Sequence, residues 1–328
     1  MRVTNILRLA AFLGLASCLP ALDYEIVSVK KIWDQGDHNA FTDIIRFKNR
    51  WYCTFREADD HVGGDGRIRV LVSQDGEKWE SSAVLTEAGI DLRDPKFSIT
   101  PNNRLMIVMG GSVYQGTKVL KGRRPRVAFS KDGKSFTTPR MVLEEGDWLW
   151  RVTWHKGVGY GISYRVDGGP DWAVSLQRST DGVRWTKVKD LDVPGRPNEA
   201  TLRFLPNGDM VALVRRESGD KQGWIGVSRA PFLDWKWKPA GSQLGGPNFI
   251  VLPDGQMVAG SRDYREAGAR KYTTVIGPMT TDGFTQKLSF PSGGDTSYPG
   301  FVFHEGVLWM SYYSSHEGKT SIYLAKIR

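Results

Sequence analysis

The chain has 328 residues, 40% hydrophobic and 11% aromatic, with a formal net charge of +9 at pH 7. Apolar content on this scale excludes a disordered chain and supplies a large core. Only two cysteines occur, so there is no disulfide framework. No Cys/His cluster has metal-site spacing, and Lys/Arg blocks are confined to Lys30-Lys31 and Lys121-Gly122-Arg123-Arg124, which argues against nucleic acid.

Residues 1–21 read as an export leader: Arg2 and Arg8 flank the start and Leu9 to Leu15 forms an apolar core too short to span a bilayer. Two cleavage readings compete. Leu15-Ala16-Ser17-Cys18 resembles a bacterial lipobox, which would make Cys18 a lipid anchor; the other reading is a conventional cut near Ala21. The expected location is periplasmic, extracellular or membrane-anchored as a lipoprotein, and residues 22–328 are expected to form one domain. The second cysteine, Cys53, lies in the alternating strand Trp51-Tyr52-Cys53-Thr54-Phe55 and reads as an inert core thiol.

A strand–turn–strand unit then recurs six times. The copies are centred near Asn49, Asn102, Lys156, Asn207, Asp254 and Glu305, a period of roughly 50 residues. A repeat of this size, built from hairpins, predicts an all-β fold: a six-bladed β-propeller of four-stranded antiparallel blades. Pairing of the segment Tyr24 to Val29 with Ser321 to Ala325 would close the ring and remove its edges.

A second motif, Ser-x-Asp-Gly-x-x-aromatic, follows several hairpins. It is found at Ser73 to Trp79, Ser130 to Phe136 and Ser179 to Trp185, with weaker echoes at Thr280 to Phe284 and Ser228 to Trp235. Asp can accept backbone N–H groups in the turn, Gly supplies positive φ, and the aromatic tucks back between strands. These aspartates therefore read as structural. The motif resembles the Asp box of the sialidase superfamily, and the resemblance covers about residues 35 to 328. It implies the propeller fold more strongly than any one reaction.

In such a ring, the starts of the first strands and the ends of the second strands share one face. That face gathers Arg93-Asp94, Trp150-Arg151, Asn198-Glu199 and Ser297-Tyr298, together with Arg56, Arg215, Arg262 and Tyr313. Several guanidiniums around one cavity suit a carboxylated ligand. The segment Pro197 to Gly208, continuing to Val214-Arg215-Arg216, is similar to the sialidase segment that carries a catalytic Glu followed by a carboxylate-binding Arg. The resemblance implies Glu199 as the base that activates a tyrosine, Arg215 as a clamp, Arg262 one blade on as a second clamp, and Tyr298 as the nucleophile. A phenol suits a sugar whose anomeric carbon carries a carboxylate, because a carboxylate nucleophile would be repelled.

The family's Arg-Ile-Pro motif is replaced here by Phe41-Thr42-Asp43-Ile44-Ile45, so Arg56, Arg93 or Arg151 is left to complete the arginine set. For the general acid, Asp60, His61 and Asp94 are the candidates. The expected activity is exo-hydrolysis of sialic acid or a related anionic sugar by a monomer, with no cofactor and no metal. The competing readings are a non-catalytic glycan-binding propeller, a structural surface protein, and a lyase acting on an acidic polymer.

Overall fold

Six antiparallel sheets surround a central axis in the computed structural model, which describes residues 22–116, 118–166, 172–264 and 272–328. The leader and Cys18 lie outside the described residues. The inner strands of blades 1 to 6 are His38–Phe47, Asp91–Ile99, Trp148–His155, Pro197–Phe204, Asn248–Val251 and Thr296–His304. Each runs outward through its sheet in sequence order, and all six tight turns fall where the repeat places them. Blade 5 is the variant, since its third strand pairs with two short segments, Gly283–Phe284 and Leu288–Phe290. Blade 6 takes its outermost strand, Ile26–Trp33, from the start of the chain. That strand pairs antiparallel with Ser321–Ile327, so the ring closes as the sequence suggests.

The inner strands are stitched to their neighbours by side chains bonded to backbone. Thr42 Oγ1 donates to Tyr298 O (2.9 Å), Asn248 Nδ2 to Pro299 O (2.9 Å), Thr201 Oγ1 to Pro247 O (3.1 Å) and Thr153 Oγ1 to Leu202 O (2.7 Å). Between blades 1 and 2, Asp43 accepts from the backbone N–H of Phe97 (2.8 Å). A polar core would otherwise strand these carbonyls; here each has a partner.

At the opposite face the Ser-x-Asp-Gly turns hold as their chemistry demands. Asp75 Oδ1 accepts from the N–H of Glu77 and Lys78, at 2.8 and 3.0 Å, while the Gly76 N–H reaches Ser73 Oγ at 2.8 Å. Gly76 has φ of 76°, and Trp79 Nε1 returns to Gly76 O at 3.1 Å. The turns at Asp132 and Asp181 repeat the pattern. Cys53 is fully buried, and burial pushes its thiol pKa up, in keeping with an inert core residue.

Candidate active site

One backbone irregularity places the functional side chains. In five blades, the inner strand advances three residues while its partner advances two: Ala40 to Asp43, Arg93 to Lys96, Leu149 to Val152, Pro197 to Ala200 and Ser297 to Gly300. Each is a one-residue β-bulge near the mouth of the ring, and bulges re-aim side chains. The residues they carry are Phe41-Thr42, Asp94-Pro95, Trp150-Arg151, Asn198-Glu199 and Tyr298-Pro299. Phe41, Asp94 and Tyr298 sit in the left-handed region, with φ of 65°, 52° and 57°. For non-glycine residues this costs on the order of 1 kcal/mol each, and such strain gathers at functional sites. In blade 5 the equivalent position is Gly246, φ 62°; a Cβ there would come within 2.6 Å of the Tyr298 ring. Proline follows Asp94, Gly246 and Tyr298, so the bulge wastes no N–H donor.

The bulges of blades 4 and 6 bring Glu199 and Tyr298 together. The Tyr298 hydroxyl donates to Glu199 Oε1 at 2.6 Å, and Glu199 Oε2 accepts from Arg215 Nη1 and from the Gly246 N–H, both at 2.8 Å. Arg215 also pairs with Glu217 at 2.5 Å. Burial raises the Glu199 carboxyl pKa, but Arg215 and the hydrogen bonds from Tyr298 and Gly246 outweigh it, and the net shift is downward. The Tyr298 phenol is pushed well above its ordinary range, first by burial and then by the charge of Glu199. The resting pair is therefore an ionised carboxylate holding a protonated phenol, the arrangement a base-activated nucleophile requires. Phe41 packs against the Tyr298 ring with centroids 4.9 Å apart, and Trp150 lies at 5.7 Å.

Asp94 shows the opposite behaviour. It is buried, its Oδ1 has no hydrogen-bond partner among the described residues, and Arg93 Nε lies 3.6 Å from its Oδ2. Burial raises its pKa; Arg93 and Lys96 oppose this and the Glu199 charge adds to it, leaving it raised. Two carboxyl groups pushed apart in this way are suited to act as an acid and a base. Beneath them lies Lys96, only 2% exposed, with its ammonium 5.0 Å from the Trp150 ring centre and 5.6 Å from that of Tyr298. Burial, then the charge of Arg151, lowers its pKa to about 8.

The other expected residues divide. Arg262 lies at the site: its Nη2 donates to Tyr313 Oη at 3.0 Å and its Nε to Thr296 O at 2.9 Å. Arg93 stacks over the Phe41 ring at 4.9 Å. Two expected arginines are corrected. Arg56 is fully buried, with each of its three nitrogens engaged by Asp91 (2.7 Å) or the carbonyls of Asp60 (2.6 Å) and Gly63 (3.0 Å), so it is closed off from a substrate. Arg151 is buried against Asp43 at 2.8 Å and braces the inner strands. Asp60 stands at the exposed rim, accepting from the His61 N–H at 2.6 Å. That hydrogen bond leads the causes that lower its pKa, which suits an ionised group and not a proton donor. His61 lies across Phe41 from Tyr298, with its Nδ1 3.2 Å from Asp295 Oδ2.

Sequence reasoning missed Lys96, Gly246, His38 and Asp295. His38 Nε2 lies 2.9 Å from the same Asp295 oxygen. Ring closure brings His38, His61 and Asp295 together, a grouping that their separation along the chain conceals. Lys96 had one usable signal: it shares an inner strand with the buried Phe97, one residue past the bulge.

No protein-family model matches the chain, and no curated protein matches it. Solved structures do. A protein of unknown function from Dyadobacter fermentans superposes with a TM-score of 0.80 at 20% identity, over 93% of this chain and 99% of that one. The GH93 α-L-arabinofuranosidase of Fusarium graminearum, solved with arabinobiose, gives 0.71 at 15% identity, over 92% and 98%. Trypanosoma rangeli sialidase, solved with the inhibitor DANA, gives 0.70 at 11% identity, over 92% of this chain and 58% of that one. At these identities the likeness establishes a shared six-bladed propeller.

Proposed function

We propose that the chain is an exported exo-glycosidase that releases a terminal anionic sugar from a glycan, with Tyr298 as nucleophile, Glu199 as its base and Asp94 as the general acid. The observation that carries this reading is the buried 2.6 Å contact between the Tyr298 hydroxyl and Glu199. Tyr298 attacks the anomeric carbon as its proton passes to Glu199. Asp94 delivers its proton to the leaving oxygen, and the glycosidic bond breaks. Water then attacks the glycosyl–tyrosine bond, Asp94 accepts a proton from that water, and Glu199 returns the phenolic proton.

Arg215 and Arg262, with Arg93 across the mouth, are the cations left to meet a sugar carboxylate once Arg56 and Arg151 are committed to buried acids. Similarity of fold to a sialidase and to an arabinofuranosidase supports a glycan-acting hydrolase. The cationic set favours an acidic sugar over a neutral one. The lipobox-like Leu15-Ala16-Ser17-Cys18 supports export and attachment to a membrane surface.

The test is hydrolysis of a fluorogenic sialic acid glycoside by the chain and by its Tyr298→Phe variant. Turnover by the parent with near-loss in a folded variant is the expected result. A folded parent inactive on sialic acid and on a panel of uronic acid glycosides, yet binding them, would favour the non-catalytic glycan-binding reading.

A further inference from the structure

His38, His61 and Asp295 come from three separate segments: the first residue of the blade 1 inner strand, the loop after its second strand, and the turn entering blade 6. Their donor atoms nonetheless converge. His38 Nε2 and His61 Nδ1 approach the same carboxylate oxygen, Asp295 Oδ2, at 2.9 and 3.2 Å, and all three atoms lie within 4.8 Å of one another. We propose that these three residues form a binding site for a divalent transition-metal ion of the zinc class at the mouth of the propeller. This inference does not depend on the hydrolase reading.

The donor set is two imidazoles and one carboxylate, a combination that suits zinc and its neighbours and disfavours calcium or magnesium. Tetrahedral zinc bonds of about 2.0–2.2 Å leave neighbouring donor atoms ~3.3–3.6 Å apart. The two His–Asp separations would lengthen by a few tenths of an ångström to reach that range, and the three donor atoms already lie within 4.8 Å of one another. The imidazole rings meet edge to face, at 76° with centroids 5.1 Å apart, and do not stack, while one nitrogen of each approaches Asp295 Oδ2.

The surroundings are those of a supported ligand. Tyr313 Oη donates to Asp295 Oδ1 at 3.0 Å, which occupies that oxygen and leaves Oδ2 directed at the imidazoles. Tyr313 is itself fixed by Arg262 at 3.0 Å, and the Asp295 N–H bonds to Ser315 Oγ at 3.3 Å. Outer partners of this kind orient a metal-binding carboxylate. His38 is buried, whereas the side chains of His61 and Asp295 are 42% and 32% exposed. An ion would thus have protein on one side and solvent on the other, giving three protein ligands and an open position. Phe41 separates this point from Tyr298, with its ring 5.1 Å from His61 and 4.9 Å from Tyr298.

The experiment is calorimetric titration of the chelator-treated full chain with Zn²⁺, repeated with Co²⁺ while following visible absorption. One ion per chain is expected, with a Kd of roughly 1 μM or below, and His61→Ala should weaken it at least ~10-fold. Because His61 is part-exposed, that variant should keep the parent's circular dichroism and Tm. Asp295→Asn should weaken binding in the same direction, and His316→Ala, outside the cluster, should leave it unchanged. Absence of saturable binding by the parent overturns the proposal, and so does binding undiminished in His61→Ala.

Discussion

The two faces of the ring follow different rules. On the turn face, each Ser-x-Asp-Gly loop closes on itself: the Asp oxygen serves N–H groups two and three residues on, and the same geometry recurs at Asp75, Asp132 and Asp181. On the mouth face the central contacts reach between blades. Glu199 is satisfied by Arg215 of its own blade, Gly246 of the next and Tyr298 of the one after. The turn face is a repeated local solution; the mouth uses one repeated backbone device, the bulge, to present a different side chain from each of five blades. Sequence divergence at the mouth is therefore where function lies, while repetition at the turns reports the fold.

The sharpest way to break this comparison is at the mouth. Tyr298→Phe and Glu199→Gln should each lower kcat/KM by about 10²–10⁴-fold, the usual contribution of a nucleophile–base pair. Thermal unfolding of Tyr298→Phe should shift little, because Arg215 and Gly246 still hold the Glu199 side chain. An equal loss from a turn-face substitution such as Asp132→Ala would overturn the division of roles.

Arg56 tests the mouth from the other side, since like Arg215 it lies near the mouth end of a second strand but is sealed against Asp91. Arg56→Met should cost about 3 kcal/mol in urea unfolding, because buried Asp91 loses its nearer cation and keeps only Arg93 at 3.4 Å. Its folded fraction should keep the parent KM. Arg215→Met should raise KM, since it removes a cation that faces the site.

A smaller effect is the pH profile of hydrolysis. Glu199 must be ionised, and its pKa is lowered, so activity should fall only as pH drops below the ordinary carboxylate range. Asp94 must be protonated, and its pKa is raised, so activity should fall again as pH rises through that value. Asp94→Asn should remove the alkaline limb along with most of the turnover of substrates with poor leaving groups. A profile in which that limb persists unchanged would remove Asp94 from the acid role.

The smallest effect belongs to the turns. Asp181→Ala should cost about 1 kcal/mol by freeing two backbone donors. Burial raises the Asp181 pKa, but the N–H groups of Arg184 and Val183 win and hold it at about 2. A carboxyl with a depressed folded pKa stabilises above its unfolded value. This contribution should therefore be present above about pH 4 and fade as pH falls toward 2. Parent and variant melting curves should converge over that window.

The sequence made the turn face legible because its information is local: Asn-Gly, Asp-Gly and Ser-x-Asp-Gly each dictate a loop from a few neighbouring residues. Glu199 and Tyr298 were legible through resemblance, and the contact between them agrees with it. Arg56 and Arg215 could not be told apart, since both end second strands; what separates them is the acid each meets, Asp91 from the next blade or Glu199 within the same one. Lys96 was hidden because a lysine beside a proline reads as surface, and only the shifted register of the blade 2 bulge turns it inward. His38, His61 and Asp295 were hidden by chain separation, which the closed ring reduces to a few ångströms.

Ring closure by the Ile26–Trp33 strand also fixes an orientation. The backbone groups of Glu25 and Arg328 bond to each other at 2.7 and 3.0 Å, where both chain ends leave blade 6 on the turn face. A tether drawn from residue 25 toward a membrane would hold the ring from beneath. The mouth would then look outward, away from the bilayer.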